Sequence, residues 1–430
     1  MRFHHGVAFV VLIAAQVGLS AEAAQPEAPP LELKDIQELR RLAESAAAEE
    51  EAPSAVPEEK PFELKGLSLQ ALNPEISVTG DMVGRFRHQG RIRERAKFLF
   101  RSLGIHFQSY LDPYSRFKAA VPATSDGVEL EEAYVTRFAV LPGVAITAGR
   151  FRQRFGVVNR WHRHALDQVD FPLALKDIFG EEGLRQTGVS IAWTMPPSLG
   201  ASQELVLQVT NGENDRLFSG NTLSTPACLM RYHRFRDITP DLYIDWGGTA
   251  LVGWNRTWDV LNDPSDPAAG THAKKRELST RVFGVDLTLL WEPTSRMRYR
   301  NIVWRTEGYV LNRDLLAPDD GRRDSILAWG LYTYVQSRVS RTWEVGVRFD
   351  YYKPAAKGYA NLLSDLYPLV RDDAKAHRCG ISPYVLWRES EFVWVRLGYS
   401  FEGGRGMGSA QHMVFAQVIF AAGPHKHERY

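Results

Sequence analysis

The feature that most constrains the fold of this chain is a period-two alternation of side chains, which begins at Glu75 and recurs in short segments. In TWEVGVRFDYY, Val345 and Val347 share one face, while Arg348 and Asp350 share the other. Successive side chains of a strand point to opposite faces, so this pattern fits a strand with lipid on one side and water on the other. The alternation therefore predicts the strands of a transmembrane β-barrel.

Sixteen segments are long enough to cross a bilayer, for which a tilted strand needs about 9–11 residues. An even number of strands places both chain ends on one side, the periplasm for an exported chain. The alternation is weakest in the fourth and eighth segments. The predicted strands are 75–86, 97–109, 114–122, 128–140, 144–151, 184–195, 203–211, 227–236, 241–254, 278–291, 297–310, 325–338, 342–353, 376–388, 391–401 and 410–420.

The connections between these segments alternate in length. Those after even-numbered strands are tight, such as 141–143 and 339–341, whereas most of those after odd-numbered strands are long, such as 152–183 and 354–375. Short periplasmic turns and long outer loops are typical of outer-membrane barrels. A soluble β-sandwich has no reason to alternate short and long connections. The sequence also lacks the repeat of about 40 residues that is typical of a β-propeller.

Composition agrees with a membrane barrel. A net charge of +1 argues against a nucleic-acid-binding protein, which needs a strongly basic face. A mean hydropathy of -0.28 argues against a helical membrane bundle. Tryptophan occurs 11 times, and five of these residues fit anchors at the membrane interfaces. The five are Trp246, Trp254, Trp291, Trp329 and Trp387.

The first 72 residues differ from the alternating region. A basic start, an apolar core and the sequence Ala21-Glu22-Ala23 predict a secretory signal peptide over residues 1–23. Residues 24–72 are rich in Ala, Glu and Pro, and their leucines at helical spacing predict a short periplasmic helix and linker. The barrel domain is predicted over residues 73–430.

The third long connection, with the end of the strand before it, is strongly basic. Five arginines, two histidines and no acid fall between Gly149 and His164. We expect this loop to fold into the barrel and narrow it, with arginines that face the pore and select anions. Alternatively, the arginines pair with acids of the loop or with the nearby Glu129, Glu131 and Glu132, and brace the loop. The five are Arg150, Arg152, Arg154, Arg160 and Arg163.

Inward positions on the other predicted strands carry both charges. Acids such as Asp81, Asp286 and Glu307 offset the bases, which favours a solvated channel with a weak anion preference over a continuous basic ladder. The predicted lumen-facing bases are Arg116, Lys118, Arg305, Arg338, Arg348 and Arg396.

No motif indicates catalysis, a cofactor or a metal. His162 and His164 with Asp167 and Asp170 are metal-ligand residue types, but a long loop lacks the fixed geometry of such a site. No Gly-x-Ser-x-Gly elbow is present in the sequence. We therefore predict no enzyme activity, no cofactor and no metal site.

Several segments within residues 73–195 resemble the phosphate-selective porin O and P family of outer-membrane channels. They are NPEISVTGD (73–81), FQSYLDPYSRFKAA (107–120), DGVELEEAYV (126–135), AGRFRQRFGVVNRWH (148–162) and FGEEGLRQTGVS (179–190). The resemblance implies a sixteen-stranded barrel with an inward-folded third loop, commonly trimeric, whose pore is lined by arginines and lysines. Beyond residue 195 only the strand pattern and spacing carry the likeness.

Together these features predict an all-β transmembrane antiparallel barrel with an inward-folded third extracellular loop and a short N-terminal helical segment. The predicted function is a porin of the bacterial outer membrane, a passive channel for small hydrophilic solutes that prefers anions, with phosphate among the candidates. The predicted partners are these solutes, outer-membrane lipid and two further copies of the chain in a homotrimer, but not nucleic acid. The alternative is an adhesin or scaffold whose barrel is plugged by the long loop.

Overall fold

The computed structural model describes residues 63–64, 67–68, 74–218, 223, 225–255, 278–297, 299–317, 322–363, 366–406 and 408–423. In this part of the chain, sixteen long strands, β1–β16, form one closed antiparallel barrel. The last strand pairs with the first, with Gln411 opposite Gln89, and this pairing closes the barrel. The predicted fold class is therefore confirmed.

Each predicted strand overlaps one observed strand. The strands are β1 Glu75–Gln89, β2 Ile92–Asp112, β3 Ser115–Thr124, β4 Glu132–Leu141, β5 Val144–Arg152, β6 Arg185–Ser198, β7 Ala201–Thr210, β8 Ala227–Thr239, β9 Leu242–Asn255, β10 Leu278–Trp291, β11 Asn301–Leu316, β12 Arg323–Arg338, β13 Trp343–Lys353, β14 Arg378–Arg388, β15 Val393–Gly403 and β16 Gln411–Ala422. Two-residue strands lie at Glu63–Leu64, Leu67–Ser68, Gly127–Val128, Ala355–Ala356 and Val370–Arg371.

The two faces of the strands differ as the alternation predicts. On β13, Val345 and Phe349 are 39% and 43% exposed, while Arg348 and Asp350 are 4% and 1% exposed. Apolar side chains thus cover the outside and charged ones point inward, which is the arrangement of a barrel in lipid. A closed barrel with this surface is a protein of the bacterial outer membrane. No helix in the described part of the chain is long and apolar enough to cross a membrane.

The weak alternation of the fourth predicted strand has a structural cause. This strand begins at Glu132 rather than at 128, because residues 129–131 run beside β3 outside the regular ladder. The amide N–H groups of Glu129 and Glu131 donate to the carbonyl oxygens of Pro122 and Ala120 at 3.1 and 3.0 Å. This arrangement brings Glu131 to the inside of the barrel mouth.

The connections at the barrel end where β1 begins have two to nine residues, and we call this end the periplasmic end. The longest connections lie at the opposite, outer end, together with the two-residue turn 90–91. The predicted signal peptide and most of the predicted 24–72 segment fall outside the described residues. Where that segment is described, Glu63–Leu64 pairs antiparallel with Leu67–Ser68.

Candidate pore constriction

The connection between β5 and β6, residues 153–184, folds into the barrel, and we call it the constriction loop. It contains 3-10 turns at Val158–Arg160 and Arg163–Ala165 and one helix, α1, at Leu173–Phe179. Its apolar side chains are buried, with Phe155 and Leu173 both 0% exposed. The structure thus has the inward-folded third loop that the sequence predicts.

The apolar face of the constriction loop packs against the inner wall from β8 to β13. Phe155 stacks on Tyr309 of β11 with 5.9 Å between ring centroids, and Phe179 completes the group at 4.9 Å from Phe155. Apolar and aromatic side chains of β8–β13 extend this core. The loop therefore fills one side of the lumen.

Two wall glycines let the loop approach the strand backbones directly. A Cβ atom at Gly284 on β10 would lie 2.5 Å from the ring of Phe155. A Cβ atom at Gly330 on β12 would lie 2.7 Å from Cβ of Ala174 in α1. Any larger residue at these two positions must push the loop off the wall, so the glycines set how far into the wall it seats.

Glu307 on β11 anchors the start of the loop. Its carboxylate accepts the backbone N–H groups of Val157 and Val158 at 3.2 and 3.0 Å. It also accepts the hydroxyl groups of Tyr309 and Tyr332 at 2.9 and 2.6 Å. Glu307 is 1% exposed and accepts four hydrogen bonds, two of them from the loop backbone, so it fixes the start of the loop firmly.

Four of the five predicted collar arginines are paired with carboxylates. The pair made by Arg152 is the most buried, and Arg152 also donates to the carbonyl oxygen of Glu182 at 2.9 Å. The pair made by Arg163 is the most exposed, with Glu182 at 52% side-chain exposure. The four pairs are Arg150–Glu213 (3.0 Å), Arg152–Glu131, Arg154–Glu204 (2.8 Å) and Arg163–Glu182 (3.2 Å).

Arg160 is the exception. Among the residues that the structure describes, its guanidinium has no hydrogen bond and no salt bridge, and its Nε is buried without an acceptor. Burial and the guanidiniums of Arg154 and Arg231 lower the pKa of Arg160 to about 10, which still leaves it charged at neutral pH. Because a half-buried cation without a partner is costly, this position favours a bound anion.

His162 links the loop to the wall at β4. Its Nδ1 lies 3.0 Å from Glu131 and its Nε2 lies 3.0 Å from Glu132. Burial lowers the pKa of His162, but the two carboxylates outweigh it and raise this pKa to about 9. His162 is therefore an imidazolium at neutral pH and joins Arg152 in a buried ionic cluster.

Three histidine rings meet beside this cluster. The ring centroid of His106 on β2 lies 5.2 Å from that of His162 and 5.1 Å from that of His164. In the described part of the chain, no group of three His, Cys, Asp or Glu side chains could hold a metal ion. Since both nitrogens of His162 already face glutamates, His162 acts here as a charged group that packs against the other two rings.

A cavity of about 510 Å³, the periplasmic cavity, lies between the loop and the wall from β1 to β7. Five of its lining residues are Lys or Arg and three are Glu, so its lining is positive. It reaches from the periplasmic ends of the strands, at Glu75, Gly143 and Thr194, up to the loop. Its basic lining residues are Arg116, Lys118, Arg152, Arg154 and Arg160.

The six strand bases predicted to face the lumen divide into three groups. Arg116 and Lys118 line the periplasmic cavity. Three others contact the constriction loop. Arg305 stacks on Trp161 at 4.6 Å, and Arg348 and Arg396 donate to the carbonyl oxygens of Asp170 at 2.7 Å and Leu166 at 2.8 Å. Arg338 pairs with Glu344 at 2.9 Å near the periplasmic end.

Sequence reasoning missed Arg101 on β2. Its guanidinium bonds Asp81 at 2.6 Å, Asp170 at 2.9 Å and the carbonyl oxygen of Val169 at 2.9 Å, and so ties the far side of the loop to β1 and β2. A charged residue at an inward position of a strand was the only signal available. This signal could not identify Asp170 as a partner of Arg101, because the two residues lie 69 positions apart in the sequence.

The sequence resembles one protein of uncharacterized function. No family model matches the sequence. An uncharacterized protein of Aquifex aeolicus is 28% identical over 298 residues, which cover 64% of this chain and 59% of that protein, so the match spans less than two thirds of the relative.

Solved structures share the fold at low identity. An anion-selective porin from Comamonas acidovorans has a TM-score of 0.51 and 10% identity, and the match covers 81% of this chain and 99% of that one. OprB of Pseudomonas putida has a TM-score of 0.50 and 12% identity, with coverages of 82% and 95%. The chain thus has the closed sixteen-stranded barrel of outer-membrane porins, with a loop folded into its lumen.

Proposed function

We propose that this protein is a passive outer-membrane channel that favours small anions, and that Arg160 with Arg154 forms its selective point. The observation that carries the proposal is the guanidinium of Arg160, which lines the periplasmic cavity without a carboxylate partner. Arg154 shares its carboxylate with His233, because Glu204 lies 2.8 Å from Arg154 and 3.1 Å from His233. Glu204 is therefore not available to neutralise Arg160.

The mechanism requires only electrostatics and size. An anion that reaches the constriction exchanges part of its hydration for the planar guanidinium N–H groups, which suit the paired oxygens of a carboxylate or phosphate. A cation meets the unpaired guanidinium of Arg160, whose nearby carboxylates Glu204 and Asp286 are already paired with Arg154 and Arg231. Solutes then cross down their gradient, and no residue needs to perform chemistry.

The test is the reversal potential of purified protein in planar bilayers under a KCl gradient. We expect an anion-selective potential for the wild type and a shift toward cations for Arg160→Gln. Arg163→Gln is the matched control, because it removes the same charge from the same loop at an exposed pair outside the cavity lining. A cation-selective wild type, or equal shifts in both variants, contradicts the proposal.

The resemblance to phosphate-selective porins makes phosphate one of the anions to compare. Replacing chloride by phosphate in the same bilayer experiment measures their relative permeability. We expect a modest discrimination, because the described lining of the cavity offers one unpaired guanidinium and its other basic residues stand beside three glutamates. A permeability ratio far in favour of phosphate would demand additional cationic groups.

One observation favours the alternative of a plugged barrel. The connections after β7 and β13 also fold inward, and their Leu217, Phe218 and Leu369 join the apolar core of the constriction loop with at most 1% exposure. An adhesin or scaffold would keep this core closed. The same bilayer experiment separates the two functions, because a scaffold gives no conductance steps.

We also propose a homotrimer in outer-membrane lipid, in line with the family resemblance. The exposed apolar side chains on the outward face of the strands provide a surface for lipid and for neighbouring copies. Chemical crosslinking in native membranes should give dimers and trimers without larger species. A product that stays monomeric under these conditions contradicts the trimer.

A further inference from the structure

A second cavity, the outer cavity, lies beside α1 at the outer end of the barrel and has a volume of about 270 Å³. It is bounded by the outer ends of strands β1, β14, β15 and β16, at Gln89, Arg378, Gly403 and Gln411. It shares no lining residue with the periplasmic cavity. A solute that arrives from outside therefore meets this cavity before it meets the constriction.

The outer cavity carries both charges. Its lining contains three carboxylates, Asp177, Glu181 and Glu402, and two guanidiniums, Arg216 and Arg378. The guanidinium of Arg378 is already paired, since it bridges Asp177 at 2.8 Å and Glu402 at 2.6 Å. Neither Arg216 nor Glu181 has a salt bridge among the described residues, so one charge of each sign is available to a ligand.

Asp177 supplies an independent sign of a ligand. It is 4% exposed, and its Oδ1 accepts the bond from Arg378. Its Oδ2 is buried and has no donor in the described part of the chain. A buried carboxylate oxygen without a donor costs free energy, so this atom favours a ligand that brings one.

Arg216 lies within reach of the same ligand. Its Nη1 donates to the carbonyl oxygens of Lys176 and Asp177 at 2.7 and 3.1 Å, which places the guanidinium beside the backbone of Asp177. The other nitrogens of Arg216 make no hydrogen bond to a described residue. The site therefore offers an acceptor and a cationic donor close together.

We infer that the outer cavity binds a small zwitterion of the amino-acid class, whose ammonium group donates to Asp177 Oδ2 and whose carboxylate meets Arg216. A plain cation would leave the Arg216 guanidinium without a carboxylate, and a plain anion would leave Asp177 Oδ2 without a donor. The inference goes beyond anion preference. Its biological meaning rests on the proposed channel, but the binding itself does not need conduction.

The test is saturation-transfer NMR on the purified protein in detergent, with L-alanine as the probe at pH 8. We expect saturable binding of alanine and much weaker binding of methylammonium and of acetate, because each of these carries only one of the two charges. Since the experiment uses solubilised protein, a barrel that fails to conduct does not affect the result. Its failure and the failure of the channel proposal are thus distinguishable.

Asp177→Asn should raise the half-saturating alanine concentration about tenfold or more, because it removes a charge-assisted hydrogen bond. Asp215→Asn is the matched control, since Asp215 is an exposed carboxylate at the same barrel end outside the cavity lining. If Asp177→Asn fails to fold, Arg216→Gln replaces it, and this variant should weaken alanine but not methylammonium.

The pH provides a further readout. Burial and the charge of Glu402 raise the pKa of Asp177 to about 6, against the opposing effects of Arg378 and Lys176. Alanine should therefore bind more weakly at pH 5 than at pH 8. No saturable alanine binding, methylammonium binding as strong as alanine binding, or an Asp177→Asn variant with wild-type affinity would each overturn the inference.

Discussion

Removal of the guanidinium of Arg152 measures how firmly the constriction loop is held. Arg152 lies at the end of β5, with 2% side-chain exposure, and its carboxylate partner Glu131 is 11% exposed. Arg152→Met keeps most of the apolar stem, which lies beside Phe171 at 5.6 Å from the guanidinium carbon to the ring centroid. The substitution therefore deletes charge and hydrogen bonds with little change in packed volume.

The expected magnitude follows from the contacts. Breaking a buried ion pair by removing one partner costs about 3–5 kcal/mol. Glu131 keeps its bond to His162 at 3.0 Å, so it is not left alone, and the lower end, about 3 kcal/mol, applies. The exposed pair of Arg163 and Glu182 contributes about 0–1 kcal/mol. Arg163→Met is thus a control within the same loop.

Hydrogen exchange with mass spectrometry reads the opening of the loop directly. A loss of about 3 kcal/mol corresponds to exchange that is about a hundredfold faster in peptides from residues 153–184. Arg163→Met should change this rate less than about fivefold. The peptides of β10–β13 should keep wild-type protection in both variants, because the barrel wall itself is intact.

Two results would refute this reasoning. Equal protection of the loop in Arg152→Met and in wild type would mean that the apolar face alone holds it against β8–β13. Equal acceleration in both variants would mean that burial of the ion pair has no bearing on its strength. Either result would remove the ionic cluster of Arg152, His162 and Glu131 from the account of loop closure.

Two further predictions concern the same loop. The pKa of His162 is raised to about 9, above its ordinary value, so its contribution to loop closure is complete below pH about 6.5 and is lost as pH rises through about 9. Loop exchange, corrected for its intrinsic pH dependence, should accelerate between pH 7 and pH 10 in wild type and show no such step in His162→Gln. Gly330→Val should displace α1 at a cost of about 1–3 kcal/mol, because its Cβ would meet Ala174 and the carbonyl oxygen of Tyr351 at 2.7 Å each. Gly308→Val is the control, since its Cβ would meet only Val285 at 3.7 Å, and loop exchange as slow in Gly330→Val as in this control would contradict the seating of α1 on β12.

The barrel could be predicted because its information is local. Each strand needs only an apolar face for lipid and a polar face for the lumen, and both are visible within about ten residues of sequence. Val345 and Arg348 reveal their faces by parity alone. The fourth strand is the exception. Its predicted start, residue 128, is four residues too early, because the chain around Glu131 leaves the regular ladder.

The candidate site was predictable only in part. The position of the constriction loop followed from counting strands, and its basic composition was plain from residues 149–164. The carboxylate that each arginine binds could not be predicted, because the partners come from distant strands. Glu204 is 50 residues from Arg154, and Glu213 is 63 residues from Arg150. No local pattern marks such pairs.

The closed barrel could thus be predicted from periodicity and from the lengths of the connections, and the inward fold of the third loop from its place in the strand count and from the family resemblance. Which loop arginine stays unpaired, and where the lumen remains open, depends on contacts between residues that are far apart in the sequence. The sequence predicts the same role for Arg152 and Arg160. In the structure, Arg152 lies against the Glu131 carboxylate, whereas Arg160 lies near the guanidiniums of Arg154 and Arg231. Because charge pairing depends on distance in space, two residues of one type eight positions apart acquire opposite roles.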